Sequence, residues 1–182
     1  IRLAVFHVDS IVTTTGFAST DYQLWGNFAI GAFFVLIFVG GCSGSTAGGI
    51  KIYRFQILAK TAHSYLTRLI SPSQVKVITY STRRVGTDIE IAILAFLLTV
   101  LFTEAVFTLF LCWNGLDFIT SASAVGQAIS NVGPGLGPIV GPAGNYKSLS
   151  DPAKMILAIA MIFGRLEYFP FFILMTPAFW RR

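Results

Sequence analysis

Five glycines in ten residues, Gly40-Gly41-Cys42-Ser43-Gly44-Ser45-Thr46-Ala47-Gly48-Gly49, interrupt the most apolar part of this chain. They follow FAIGAFFVLIFV (Phe28 to Val39) and precede Ile50, Ile52, Tyr53, Phe55, Ile57 and Leu58. Each glycine costs a helix interior about 1 kcal/mol relative to alanine, so such a run ends any regular helix. The apolar run before it would be about 18 Å long as a helix, short of the ~30 Å hydrocarbon core of a bilayer. The pattern is therefore a broken helix with irregular backbone near mid-membrane. Such backbone persists there only inside protein or along a watery cavity.

Composition supplies the membrane. Of 182 residues, 54% are apolar and only 12% charged, about half the usual share. A soluble domain of this size lacks the polar surface to cover so much hydrocarbon, and a disordered chain needs the opposite balance. Cys42 and Cys112, with His7 and His63, make neither a disulfide framework nor a zinc spacing, and the two histidines receive no role. Seven basic residues (Lys51, Arg54, Lys60, Arg68, Lys76, Arg83, Arg84) and no acidic one lie between positions 51 and 84, and Arg181-Arg182 close the chain. Apolar segments flank this basic stretch, which argues against nucleic acid. The positive-inside rule places it and the C-terminus in the cytoplasm. The chain opens at Ile1 inside an apolar stretch, without a secretory signal, and is expected to be an internal or C-terminal piece of a longer protein.

Two further spans follow, Ile89 to Trp113 and Pro152 to Trp180, each long enough to cross; the second contains Arg165, Glu167 and Pro170. The first span then enters the cytoplasm, the second leaves it and the third returns. Two stretches on the outer side are too short and polar to cross. Asp117 to Ser130 (DFITSASAVGQAIS) reads as a re-entrant half-helix running into Asn131-Val132-Gly133-Pro134-Gly135-Leu136-Gly137. Arg2 to Val12 does the same before Thr13-Thr14-Thr15-Gly16-Phe17. An offset of 117 residues superposes Gly16 on Gly133 and Thr13 on Ser130, a structural repeat of low residue identity.

A half-helix whose C-terminus points to the membrane centre presents its negative dipole end there. The extended Gly-containing strand after it offers a ladder of carbonyls. Those carbonyls can share one axis only if some residues take dihedrals that side chains forbid, hence Gly16 and Gly133. Pro134 removes an amide donor and restrains Gly133. This is the pattern of a selectivity filter, in which carbonyl oxygens replace the hydration shell of a monovalent cation.

The motifs TTTGF (Thr13 to Phe17), GGCSGSTAGGIK (Gly40 to Lys51), NVGPGLG (Asn131 to Gly137) and FGRLE (Phe163 to Glu167) resemble, in order and over essentially the whole chain, the C-terminal half of Trk-type potassium uptake proteins of the Trk/Ktr/HKT superfamily. The resemblance implies an all-α membrane protein of tandem helix–pore-loop–helix repeats, potassium-channel-like, with a broken inner helix. Residues 1–62 would be a third repeat without its outer helix, 63–87 a basic cytoplasmic linker and 88–182 a complete fourth repeat. It implies potassium as the transported ion, held by Thr14, Thr15, Gly16, Asn131, Val132 and Gly133, with no cofactor in this chain. Two strands cannot enclose an ion, so an N-terminal half must bring two more filters. Also implied are a homodimer, a cytosolic nucleotide-binding regulatory subunit, and multi-pass residence in a plasma membrane, the inner membrane of a bacterium. No P-loop or GxGxxG motif binds a nucleotide here, and the segment from Lys51 to Arg84 is the expected docking surface.

Arg165 lies about 20 Å down a helix from Pro152, and Gly40 about 24 Å down from Leu24, so the two share a depth below the filters. A charge at mid-membrane needs a partner or water. The expected gate is the loop Gly40, Gly41, Ser43, Gly44, Ser45, Gly48 and Gly49, plugging the pore while the Arg165 guanidinium donates to its carbonyls. Lys51 is the expected partner of Glu167. Pro170 should bend the helix by leaving the Leu166 carbonyl without a donor, and Glu104 should brace a pore helix. Two other function classes fit fragments of the pattern. Cation-coupled secondary transporters also use broken helices. Gly41-Cys42-Ser43-Gly44 matches the GxSG of rhomboid-type intramembrane proteases, but no histidine follows on a later span to activate the serine.

Overall fold

The computed structural model describes residues 1–71, 78–80 and 83–181. It is mostly helical: α1 (Arg2–Val12), α2 (Asn27–Phe38), α3 (Ile52–Ile70), α4 (Thr87–Trp113), α5 (Phe118–Ser130), α6 (Asp151–Arg165), α7 (Phe169–Met175) and α8 (Pro177–Trp180). Short 3-10 turns cover Tyr22–Trp25 and Tyr146–Ser148. Two small bridges qualify the all-helical expectation. Strands β1 (Val39–Gly40) and β2 (Ile50–Lys51) pair in parallel and pinch together the ends of the glycine-rich segment. Strands β3 (Thr79–Tyr80) and β4 (Arg83–Arg84) form a hairpin. Lys76 and Arg182, counted among the expected cytoplasmic charges, lie outside the described residues.

Polarity runs inside out relative to a water-soluble protein. Helix α5, rich in serine and threonine, is buried from Thr120 to Ser130. The long apolar helix α4 leaves many of its large side chains facing outward: Phe102 is 71% exposed, whereas Val125 of α5 is fully covered. At 27 residues and a mean hydropathy of 2.3, α4 is long and apolar enough to cross a bilayer. Exposed leucines and phenylalanines along it are at equilibrium only against lipid or further protein. The core lies instead around α5, where Phe96, Val100 and Leu111 of α4, Val125 and Ile129 of α5, and Leu157 of α6 pack together. A second cluster joins Ile11, Tyr22, Phe33 and Ile37 to Val132 and Leu136.

Local chemistry sets the helix ends. The Asp117 carboxylate caps α5 by accepting from the Thr120 amide at 3.0 Å. Glycines end α2, which stops at Phe38. The expected continuous span from Pro152 to Trp180 does not form. Its first helix, α6, ends at Arg165, and Glu167 and Tyr168 take φ of +54° and +57° before α7 begins. Proline is tolerated in the first turn of a helix but not within one. Pro170 accordingly restarts the chain in α7, and the break falls upstream of it, at Leu166 to Tyr168. The Tyr168 side chain closes the break, stacked on Phe163 at 6.1 Å and edge-on to Phe96 at 5.8 Å.

Candidate functional site

Helices α1 and α5 end in the same way. After α1, the Thr13 amide donates to Asp9 O, Thr14 to Ile11 O, and both Thr15 and Gly16 to Ser10 O. After α5, Asn131 donates to Ala128 O and Val132 to Gln127 O. The amides are spent on the helix ends, so the strand oxygens are left to face elsewhere. Left-handed residues recur at the 117-residue offset: Thr14 (φ +56°) matches Asn131 (+53°), and Gly16 (+77°) matches Gly133 (+128°). A change of hand at every second residue swings successive carbonyls toward one side, where a β-strand would alternate them. Glycine accounts for two of these positions at little cost and asparagine tolerates a third. Thr14 is the strained one, because a β-branched side chain disfavours φ above zero. Its Oγ1 accepts from the Gly48 amide at 3.1 Å, which holds it there.

The two strands touch. A Cβ built on Gly16 would fall 2.1 Å from Val132 O, and one on Gly133 would lie 3.7 Å from the Gly16 α-carbon. Thr15 hydrogen-bonds Thr13 side chain to side chain at 2.8 Å. Asn131 Nδ2 donates to Ile129 O and to Met161 O of α6, each at 3.3 Å. Tyr146 Oη donates to Gly133 O at 2.7 Å. Burial pushes the Tyr146 phenol up to about 12, so it remains a neutral donor.

The glycine-rich segment lies directly against both strands. Gly48 approaches Ser130 so closely that a Cβ would fall 1.9 Å from its carbonyl oxygen, and Gly40 abuts Gly48 O and Gly49. Gly41 packs near Ala47 and Ser45, while Ser43 and Gly44 are exposed at the tip. Arg165 Nη1 donates to Thr46 O at 2.7 Å. Lys51 Nζ donates to Ser45 O at 2.8 Å and to Ala47 O. Gly49 and Arg165 help line a cavity of about 330 Å³ that also includes Glu167.

The structure overturns two of the expected charge roles. Lys51 spends its ammonium on loop carbonyls, and Glu167 pairs with Arg54 at 2.7 Å. Arg54 lies only three residues past Lys51 at the start of α3, and its guanidinium sits 3.8 Å from the Phe96 ring centre. Sequence reasoning counted it as cytoplasmic charge; its place in the first turn after the glycine-rich segment, three residues past Lys51, was the available signal. Glu104 forms no brace: its two carboxylate oxygens are buried and unpartnered among the described residues. His7, given no role, is a buried strut. Its Nε2 faces the amides of Ser19 and Thr20 at 3.3 and 3.4 Å and must accept, so the proton sits on Nδ1, which donates to Leu3 O at 2.7 Å. Gln23 similarly clips Gly137, accepting from its amide at 2.6 Å.

A mostly helical chain with a long, outward-facing apolar helix and two touching strands at helix C-termini has the build of a membrane protein. The family model described as TrkH, cation transport protein, matches residues 1–182, and the chain belongs to that family. It is 48% identical over 177 residues to the Trk system potassium uptake protein TrkI of Halomonas elongata, covering 97% of this chain and 36% of that protein. It is 36% identical over 181 residues to the potassium uptake protein TrkH of Escherichia coli, covering 37% of it. The crystal structure of the potassium transporter TrkH from Vibrio parahaemolyticus superposes with a TM-score of 0.88 at 36% identity, over 98% of this chain and 38% of that one. The chain thus spans little more than a third of these relatives.

Proposed function

We propose that this chain supplies half of a potassium-conducting pore. The observation that carries the proposal is the contact between two strands with the same alternation of hand, Thr14 and Gly16 against Asn131 and Gly133. In this reading the carbonyl oxygens of Thr14, Thr15, Gly16, Asn131, Val132 and Gly133 replace the water around a potassium ion. Two further strands come from a longer protein of which this is a part. Its relatives' names, which specify potassium uptake, support the choice of ion. The segment from Gly40 to Gly49 closes the pathway beneath the strands, and Arg165 holds it shut by donating to Thr46 O while repelling cations. The protein resides in a plasma membrane with residues 51–87 and the C-terminus cytoplasmic, as a homodimer that docks a nucleotide-binding regulatory subunit on its basic segment.

The test is uptake of rubidium and of sodium by the full-length protein in lipid vesicles. Rubidium should enter and sodium should be excluded; absence of rubidium entry, or equal entry of both, overturns the reading. Current reversing at the potassium equilibrium potential marks passive conduction, and a reversal displaced by a proton or sodium gradient marks coupling.

A further inference from the structure

The two strands are equivalent in backbone hand but not in what touches their glycine oxygens. Gly133 O accepts from Tyr146 Oη at 2.7 Å. Gly16 O has no hydrogen-bond donor among the described residues. Tyr146 is not a loosely held surface side chain. It opens the 3-10 turn Tyr146–Ser148, its carbonyl accepts from the Leu149 amide at 3.3 Å, and its ring packs on the core cluster that contains Leu149. The preceding loop is equally fixed: the Asn145 amide donates to Ile139 O at 3.0 Å, and Gly144 fits so tightly that a Cβ would fall 2.0 Å from Ile139 O. A rigid loop therefore delivers one hydroxyl to one carbonyl of the strand. Tyr146 shares with Asn131, Val132 and Gly133 the lining of a cavity of about 370 Å³.

A carbonyl oxygen has two lone pairs and can bind a donor and a cation together. Hydrogen bonding draws electron density toward the donor and leaves a weaker ligand for the ion. It also fixes the peptide plane of Gly133, whose φ of +128° is otherwise the freest in the strand. The strength of carbonyl ligands is one of the terms that sorts alkali cations. Strong ligands favour small ions that are costly to dehydrate, and weak ones favour larger ions. We propose that Tyr146 is a specificity-determining positioning residue: its hydroxyl orients Gly133 O and weakens it as a ligand, biasing the pore toward potassium and rubidium over sodium and lithium. The inference rests on the reading of Gly133 O as an ion ligand.

The experiment compares wild type, Tyr146→Phe and site-specific 3-fluorotyrosine at position 146, in the full-length protein reconstituted in vesicles, with rubidium, sodium and lithium as the ions. Removing the hydroxyl should raise the sodium-to-rubidium uptake ratio about fivefold, the factor carried by a hydrogen bond of ordinary net strength. The fluorinated ring is a stronger donor of almost the same shape and should lower that ratio. A purely structural role would make both substitutions change total uptake without opposite shifts in selectivity. Unchanged selectivity in both variants, beside a rubidium-selective wild type, overturns the role of Tyr146 and leaves the pore reading intact. A wild type that takes up no alkali cation instead overturns the pore reading.

Discussion

Replacing Gly16 by alanine tests the pore reading at the atom on which it turns. The added Cβ would lie 2.1 Å from Val132 O and 3.3 Å from Pro134 Cδ. Real Cβ atoms essentially never come within 3.0 Å of such a neighbour, so the oxygen must retreat by at least about 0.9 Å. The backbone adds its own cost, because Gly16 sits at φ +77°, where a side chain costs roughly 1–2 kcal/mol. Both effects act on Val132 O, which is one of the six proposed ligands. If the conducting geometry alone bears the cost, the backbone part corresponds to roughly a tenfold loss and the displacement adds to it. Rubidium uptake into vesicles, normalised to the amount of inserted protein, should therefore fall tenfold or more, and the sodium-to-rubidium ratio should rise. Gly31→Ala is the control, since a Cβ there meets nothing within 4 Å, and it should transport as wild type. Wild-type uptake and selectivity in Gly16→Ala would refute the argument outright.

Arg165→Ala should raise basal rubidium flux about tenfold. It frees Thr46 O from a charge-assisted hydrogen bond of about 1.5–3 kcal/mol and removes a cation from the proposed pathway; flux at or below the wild-type level would sink the gate. Glu167→Gln should destabilise the protein by about 1–2 kcal/mol, less than for a fully buried pair because the Glu167 side chain is 51% exposed. Thermal unfolding in detergent reads this out. The double change Arg54→Leu with Glu167→Leu should recover much of the loss, because it leaves no uncompensated charge against Phe96.

The sequence made the irregular places legible and obscured the interactions that hold them. Helices α1 and α5 and the break before Gly41 follow from local rules: a capping aspartate, a glycine run and apolar segments too short to cross. The 117-residue offset matches Gly16 to Gly133 in the sequence alone, yet nothing in the sequence marks Thr14 and Asn131 as a second left-handed pair. A threonine at φ +56° contradicts propensity, and the Gly48 amide that supports it reaches its hydroxyl from 34 residues away. The same limit explains the charges. Arg165 stood out because it lies in an apolar run, whereas Arg54 hid among seven basic residues. Which of Lys51 and Arg54 reaches Glu167 depends on where the loop carbonyls fall, and the loop takes Lys51. The third span failed for a related reason. Hydropathy is indifferent to whether an apolar run is one helix or two, and Pro170 permits the restart without fixing the residue at which α6 stops.

The glycine-rich segment and the two strands are mechanically one object, and its composition follows from that. Gly48 donates its amide to Thr14 Oγ1 on one strand and lies against Ser130 O at the root of the other, where any side chain would collide. The segment is closed at its base by β1 and β2 and is held from below by Arg165 and Lys51 through the carbonyls of Ser45, Thr46 and Ala47. Displacing it breaks the hydrogen bond that supports the strained Thr14, in the same motion that would uncover the proposed pathway. Whatever moves the segment therefore also relaxes a residue of the proposed filter. By reciprocity, an ion that favours the strained form of Thr14 favours the segment in place. Glycine at position 48 satisfies both contacts at once, and a bulkier residue there would separate them.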